Sequence, residues 1–282
     1  MFSKIYLEIT NACNLNCSFC PKTSRRKRFL TKEQFCFLAD RLVGHTHFLY
    51  FHLMGEPLLH PLLGEFLHQA YKRGFKVIIT TNGTLIGDKE NVLLDSDALF
   101  KVSMSLHSYE ANRAGIDFKK YLSDCCRFAD KASQKGIISV FRLWNDGGEN
   151  SLNPEIMDYL RQTFDGEWVQ NTKGIRIRKK LFVEYGEKFD WPENNDMVSK
   201  EIRCYGTKDH VGVLCDGTVV PCCIDGQGSM PLGNLFDMTL DEILDSENAR
   251  RISGMLRCGI APEKTCESCG FAQNKFLHLQ NN

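Results

Sequence analysis

The sequence has no excess charge of either sign: 35 Lys and Arg balance 35 Asp and Glu in 282 residues. Wholesale phosphate binding rests on surplus positive charge, so a general nucleic-acid binder is excluded. No run approaches 18 consecutive apolar residues, so no membrane-spanning helix and no membrane partner are expected. The opening MFSKIYLEIT lacks the apolar stretch of a secretory signal, which leaves a cytoplasmic location as the expectation. Internal repeats and low-complexity segments are also missing. What remains is 43% apolar and 25% charged residues, a globular composition long enough for one large domain or two modest ones.

Cysteine is abundant. Thirteen are present, three within residues 13–20 and seven within 204–269. An odd total without a secretory signal argues against a disulfide framework, and clustering in a reducing compartment points to metal.

The first 180 or so residues alternate strand and helix. Strands are expected at 4–9, 47–51, 76–80, 101–106, 137–143 and 174–183, with helices at 31–43, 61–73, 88–98, 118–135 and 154–164. Thr31 with Gln34, and Thr239 with Glu242, form capping boxes at two helix starts. Repeated βα units predict a parallel sheet, open or closed into a barrel. The stretch 186–203 is polar and reads as a linker, and Asp216-Gly217 signals a hairpin beyond it.

Directly after the first strand, Cys13, Cys17 and Cys20 have the spacing C-x3-C-x2-C. Three thiolates can grip three irons of a cubane cluster and leave the fourth iron open, whereas a closed cage takes four. A zinc knuckle also fits three loop cysteines. At the other end, Cys204, Cys222, Cys266 and Cys269 have the spacing C-x17-C-x43-C-x2-C, enough for a closed site, with Cys223 competing with Cys222. A structural zinc fits these four as well.

Further candidates fall at or just after strand ends: Met54-Gly55-Glu56-Pro57, Thr81-Asn82-Gly83, the alternating Ser103, Ser105 and His107, and Arg142 on strand five. The C-terminal ends of parallel strands form one rim where ligands bind, so these segments converge in space. Each also has an ordinary use: a turn, a satisfied serine row, a structural ion pair.

The Cys13–Cys20 motif resembles that of the radical S-adenosylmethionine (radical SAM) superfamily, down to Phe19 before the third cysteine. The resemblance implies that S-adenosylmethionine chelates the open iron and is cleaved to a 5′-deoxyadenosyl radical, which abstracts a substrate hydrogen atom. Met54-Gly55-Glu56-Pro57 resembles the family's Gly-Gly-Glu-Pro segment, which holds the amino group of S-adenosylmethionine. Methionine replaces its first glycine. Asn82, Ser103, Ser105 and Arg142 are then cofactor contacts by analogy, Arg142 toward the methionyl carboxylate. The C-terminal cysteines resemble the SPASM extension in its shortened "twitch" form, which carries one auxiliary [4Fe–4S] cluster.

The implied fold is α/β, a partial (β/α)6 TIM-like barrel at 1–185 with a small α+β auxiliary-cluster domain at 186–282. The implied cofactors are two [4Fe–4S] clusters and S-adenosylmethionine, with flavodoxin or ferredoxin as electron donor. The expected reaction is a two-electron oxidation of a small molecule or a peptide. Strand one begins almost at Met1, which tilts the expectation toward a small molecule, because no fused peptide-recognition domain fits before it. The alternatives are epimerisation with Cys215 or Cys258 as hydrogen donor, peptide maturation, and a non-catalytic zinc-binding module. His107 is a candidate acid or base. Arg176 and Arg178, and the run Arg25-Arg26-Lys27-Arg28, are candidate ligands for an anionic substrate.

Overall fold

The computed structural model describes residues 1–112, 115–172 and 174–274. Its strands are β1 (Lys4–Leu7), β2 (Phe48–Tyr50), β3 (Lys76–Thr81), β4 (Leu99–Ser105), β5 (Ile138–Asp146), β6 (Val169–Asn171), β7 (Gly174–Arg178), β8 (Leu181–Glu187), β9 (His210–Val213), β10 (Thr218–Val220) and β11 (Gly233–Asn234). The helices are α1 (Lys32–Leu42), α2 (Leu63–Lys72), α3 (Glu90–Leu94), α4 (His107–Glu110), α5 (Phe118–Gln134), α6 (Asn153–Thr163), α7 (Leu240–Asp245), α8 (Glu247–Arg257) and α9 (Lys264–Glu267). Both capping boxes form, Thr31 with Gln34 on α1 and Thr239 with Glu242 on α7.

All strands belong to one sheet in the order β11-β10-β9-β1-β2-β3-β4-β5-β8-β7-β6. The pairs from β9 through β1 to β5 and β8 are parallel, and the outer pairs on both sides are antiparallel. Six strands thus follow chain order, each joined to the next by a helical crossover, as a partial (β/α)6 barrel requires.

Alternation along β1 separates two faces. Ile5 and Leu7 are fully buried against the helices. They join a core with Phe35 of α1, Phe66 of α2 and Phe128 of α5, in which Phe35 and Phe66 stack at 4.3 Å. Each such side chain contributes about 1.5–3 kcal/mol by leaving water. Tyr6 lies on the other face, opposite Tyr50 in register, with ring centroids 5.0 Å apart.

That other face is concave. Tyr6 on β1 and Arg142 on β5 are four strand spacings apart, about 19 Å on a flat sheet. Yet Tyr6 acts electrostatically on Arg142, and Glu184 of β8 acts on Tyr50 of β2. The sheet therefore curls around a lumen lined by these side chains.

Two elements differ from the sequence expectation. The sixth strand, expected at 174–183, is a hairpin: β7 pairs antiparallel with β8, and only β8 joins β5 in the barrel. The turn is at Lys179-Lys180, with Lys180 at φ 68. Apolar alternation on either side hides a turn that has no Gly, Pro or Asn to mark it. The fourth strand ends at Ser105, and His107 opens the short helix α4 instead of sharing the strand face of Ser103 and Ser105.

Candidate active site

The loop after β1 carries Cys13, Cys17 and Cys20, and three other segments hold it. Glu56 N donates to Ala12 O at 2.8 Å, and Ser18 N donates to Ala111 O at 3.0 Å. Asn16 N donates to Asn112 Oδ1 at 2.6 Å. Burial and mutual repulsion push the three thiols up. N–H donors oppose this: Asn112 Nδ2 lies 2.9 Å from Cys17 Sγ, Leu15 N 3.4 Å and Asn82 Nδ2 3.9 Å from Cys13 Sγ. Donors aimed at sulfur suit thiolates that hold iron. Asn112 follows the short helix α4 and has no signature in the sequence. Phe19 packs on His107 with centroids 5.1 Å apart.

Gly55 and Glu56 build the rim around this loop. Gly55 has φ 78, and a Cβ there would stand 2.5 Å from Thr10 O and 2.8 Å from Ala12 O. Only glycine lets the segment lie this close to the cysteine loop. Glu56 accepts from Thr81 Oγ1 and Asn82 N at 2.8 Å and from Leu58 N at 2.9 Å. Burial pushes its carboxyl up to about 7 against these three bonds. The carboxylate thus clamps the end of β3 to the rim, and it is Pro57 and Leu58 that turn the chain away into a short 3-10 helix.

Glu8 was missed by the sequence reading, since one acidic residue in a strand carries no pattern. It is fully buried and forms a bidentate pair with Arg25 at 2.7 and 2.9 Å. It also accepts from Met54 N at 3.2 Å and from Cys215 N at 3.1 Å. Cys215 Sγ lies 3.0 Å from its carboxylate, and burial pushes that thiol up to about 12. Arg25 Nε reaches Gly226 O at 2.9 Å. The first member of the basic run is therefore a half-buried strut, and Cys215 sits beside the carboxylate it holds.

The lumen holds Arg142, Trp144, Tyr6, Tyr50 and His52. Arg142 lies over the Trp144 ring at 3.5 Å, and that ring rests where a Cβ on Gly186 would stand 2.8 Å away. Ser103 and Ser105 share the β4 face of Lys101, which pairs at 3.3 Å with Glu184 of β8, over the intervening strand β5. His107 is held on the β5 backbone, its Nδ1 3.0 Å from Arg142 O, and burial pushes it down to about 4.

Cys204, Cys222, Cys266 and Cys269 line one cavity. Burial raises each of Cys222, Cys266 and Cys269, with repulsion from their neighbours adding to it, Cys269 to about 11. Thiols in one cavity, Cys266 and Cys269 buried and Cys204 and Cys222 half-buried, repel one another as thiolates and need a cationic centre to ionise together. Among the described residues no three His, Cys, Asp or Glu side chains converge on a single-ion point. Four cysteines around one cavity are the ligand number of a closed iron-sulfur cluster or a structural zinc site. Cys223 is not among the residues that line this cavity; its thiol is close enough to feel Cys204 on one side and Tyr6 of the lumen on the other.

Three candidates lie elsewhere. Arg176 is exposed on β7, and Arg178 pairs with Asp130 of α5 and donates to Ser133 Oγ at 2.9 Å. Register puts Arg178 opposite Leu181, level with Ser139 near the start of β5 and away from the rim. Cys258 is exposed at the C-terminal end of α8. No described helix is long and apolar enough to cross a membrane.

Residues 7–162, more than half of the chain, match the family model described as the radical SAM superfamily, and residues 204–270 match the SPASM iron-sulfur cluster-binding domain. A cofactor-modifying protein for tungsten-containing aldehyde ferredoxin oxidoreductase from Pyrococcus furiosus is 36% identical over 90 residues, 30% of this chain and 25% of that protein. The antilisterial bacteriocin subtilosin biosynthesis protein AlbA of Bacillus subtilis is 25% identical over 268 residues, 85% of this chain. The chain spans 58% of AlbA's length. Streptococcus suis SuiB bound to S-adenosylmethionine superposes with a TM-score of 0.64 at 16% identity, covering 95% of this chain and 72% of SuiB. SuiB has also been solved with its precursor peptide SuiA. The cofactors of such domains are a [4Fe–4S] cluster with S-adenosylmethionine, and auxiliary iron-sulfur clusters in the SPASM part. Three cysteines on a rim loop, a second cysteine cavity beyond the lumen and a family match across the barrel lead to one conclusion: this chain belongs to the radical SAM superfamily.

Proposed function

We propose that the protein oxidises a substrate by two electrons, taking a hydrogen atom at the rim and passing an electron to an auxiliary cluster. Cys13, Cys17 and Cys20 hold the cluster that binds S-adenosylmethionine. Cys204, Cys222, Cys266 and Cys269 hold the auxiliary one. When bound, the rim cluster and S-adenosylmethionine supply a hydrogen-atom abstractor. The chain's residues do the rest: Gly55 and Glu56 shape the rim, Ser103 and Ser105 line the cofactor side of the lumen, and Asn112 and Asn82 donate to the cysteine sulfurs. The observation that carries this reading is the pairing of two cysteine sites on one barrel, the loop after β1 with Cys13, Cys17 and Cys20 and the cavity lined by Cys204, Cys222, Cys266 and Cys269. Residues 1–185 form the barrel part and 186–282 the auxiliary part. A flavodoxin or ferredoxin in the cytoplasm supplies the reducing electron.

A peptide substrate is the second reading, favoured by the likeness to AlbA and SuiB. Anaerobic reconstitution tests the common core. The expected result is about eight irons per chain and 5′-deoxyadenosine on addition of dithionite and S-adenosylmethionine. With Cys13, Cys17 and Cys20 all replaced by Ala, about four irons and no 5′-deoxyadenosine are expected. Bound zinc with S-adenosylmethionine intact would overturn the proposal.

A further inference from the structure

We propose that the foot of the barrel, at the opposite end of the strands from the rim cysteines, docks an acidic segment of a peptide substrate. The proposal rests on the peptide reading and names the chemistry that recognises such a substrate. Register puts Lys4, Phe48 and Lys76 level at the starts of β1, β2 and β3. It also puts Lys101, Ile138 and Lys180 level across β4, β5 and the entry to β8. Aromatic rings stand between these cations. Lys4 Nζ lies 5.8 and 5.5 Å from the Tyr6 and Tyr50 centroids. Lys76 Nζ and Lys180 Nζ lie 5.3 and 5.8 Å from one ring, that of Phe100, which packs on Phe48 at 5.3 Å.

Two ammonium groups gathered over one ring repel each other unless an anion joins them. Among the described residues Lys101 is the one cation of this row with an ion pair, to Glu184 at 3.3 Å. Lys180 stands at φ 68, a left-handed conformation that strains a residue with a Cβ, and its carbonyl accepts from Ser139 N at 2.8 Å. Strain of this kind collects where side chains are positioned for a ligand.

The row continues into a groove of about 770 Å³ whose walls include Lys180, Phe182, Lys179 and Arg176. Phe48, Phe100 and Phe182 are half-buried, so the rings also offer surface. Arg176 and Lys179 are exposed and, among the described residues, have no counter-charge. Asp165 and Glu167, which precede the edge strand β6, form the outer wall. The groove is thus cationic toward β8 and anionic toward β6.

From β1 to β7 the cations span six strand spacings, about 29 Å along the sheet, the length of about nine extended residues. A single phosphate or small acid meets one or two of them, whereas an extended acidic segment meets them in turn. Its carboxylates belong over Lys4, Lys76 and Lys180, and the outer wall favours a basic residue at its end. The six residues of β3 separate Lys76 from the rim by about 20 Å, so the docked segment is distinct from the residue that reacts.

Fluorescence anisotropy on the reconstituted protein tests this with a labelled peptide of alternating Glu and Gly, about ten residues long, and with its Gln counterpart. The Glu peptide is expected to bind the wild type at least about ten-fold more tightly than the Gln peptide, and to lose that preference in high salt. K76A/K180G should remove the preference as well. Glycine suits φ 68 at position 180, so this variant keeps its fold. K72A/K119A removes two exposed lysines from helices elsewhere and should bind within about two-fold of wild type. Equal binding of the two peptides overturns the proposal, and so does undiminished binding in K76A/K180G. Displacement of the Glu peptide by an equal concentration of inorganic phosphate overturns it too, because the foot would then be a small-anion site. The peptide reading fails separately, if a small molecule and no peptide raises 5′-deoxyadenosine formation in the same preparation.

Discussion

Cys222 and Cys223 are neighbours in sequence, and only Cys222 lines the four-cysteine cavity. There its thiol feels Cys204, Cys266 and Cys269. Cys223 does not line it, and its thiol lies between Cys204 and Tyr6 of the barrel lumen, feeling both. The two residues lie in the bend and turn that follow β10, where the chain changes direction between them.

Replacing these residues one at a time should give opposite results. Cys222→Ala is expected to lose about four irons from the reconstituted protein, while Cys223→Ala keeps them. Iron and sulfide analysis decides it. Loss of iron in Cys223→Ala with retention in Cys222→Ala would reverse the ligand assignment.

The Glu8–Arg25 pair is the second test. Glu8→Gln leaves a partly buried guanidinium without its counter-charge and should destabilise the protein by about 3–5 kcal/mol. Removing both charges with Glu8→Gln and Arg25→Met should recover part of that loss. Urea unfolding midpoints of the single and double variants measure the coupling. With Arg25→Met measured as the second single variant, a double-variant loss equal to the sum of the two single losses would mean that the pair is not coupled.

Gly55→Ala tests the approach of the rim to the cysteine loop. The left-handed backbone alone costs about 1–2 kcal/mol for a residue with a Cβ. The 2.5 Å contact to Thr10 O forces the loop away in addition. Iron loading at the rim is expected to fall while the four-cysteine site keeps its metal, as cluster-specific spectra would show.

His60 sets a pH dependence. Leu62 N donates to its Nδ1 at 3.1 Å, so Nε2 carries the hydrogen that points to Leu30 O, also at 3.1 Å. Only the neutral ring satisfies both bonds. Burial pushes it down from 6.5 to about 4. Between those values the unfolded chain binds more protons, so the stabilisation is complete above about pH 6.5 and is lost as pH falls toward 4. The loss amounts to at most about 3 kcal/mol. Stability measured from pH 7.5 to 4.5 should fall less steeply in His60→Gln, and parallel profiles would contradict the assignment.

Local chemistry was legible in the sequence. Cys13, Cys17 and Cys20 sit within one loop, and the capping boxes within one helical turn, so short spacings announce them. Features that depend on distant partners were hidden. The Lys179-Lys180 turn has ordinary residues on both sides and is fixed by β8 joining β5. Tyr6, Tyr50 and His52 could have been found by carrying the alternation of β1 and β2 into the lumen. Glu8 could not, because its partners come from residues 25, 54 and 215. Arg178 was misleading: its strand alternates like a barrel strand, and its charge is spent on Asp130.

The pairing of β1 with β9 has a consequence for biogenesis. Lys4 is in register with His210, so one flank of the first strand waits for chain made some 200 residues later. Until then a ribosome-bound barrel exposes an unpaired parallel edge, which is a template for mispairing. Closing that edge brings in the segment that carries the second cysteine cavity. Synthesis of the C-terminal part therefore completes the N-terminal sheet, and a truncation before residue 210 is expected to leave all six barrel strands with β1 as an open, aggregation-prone edge.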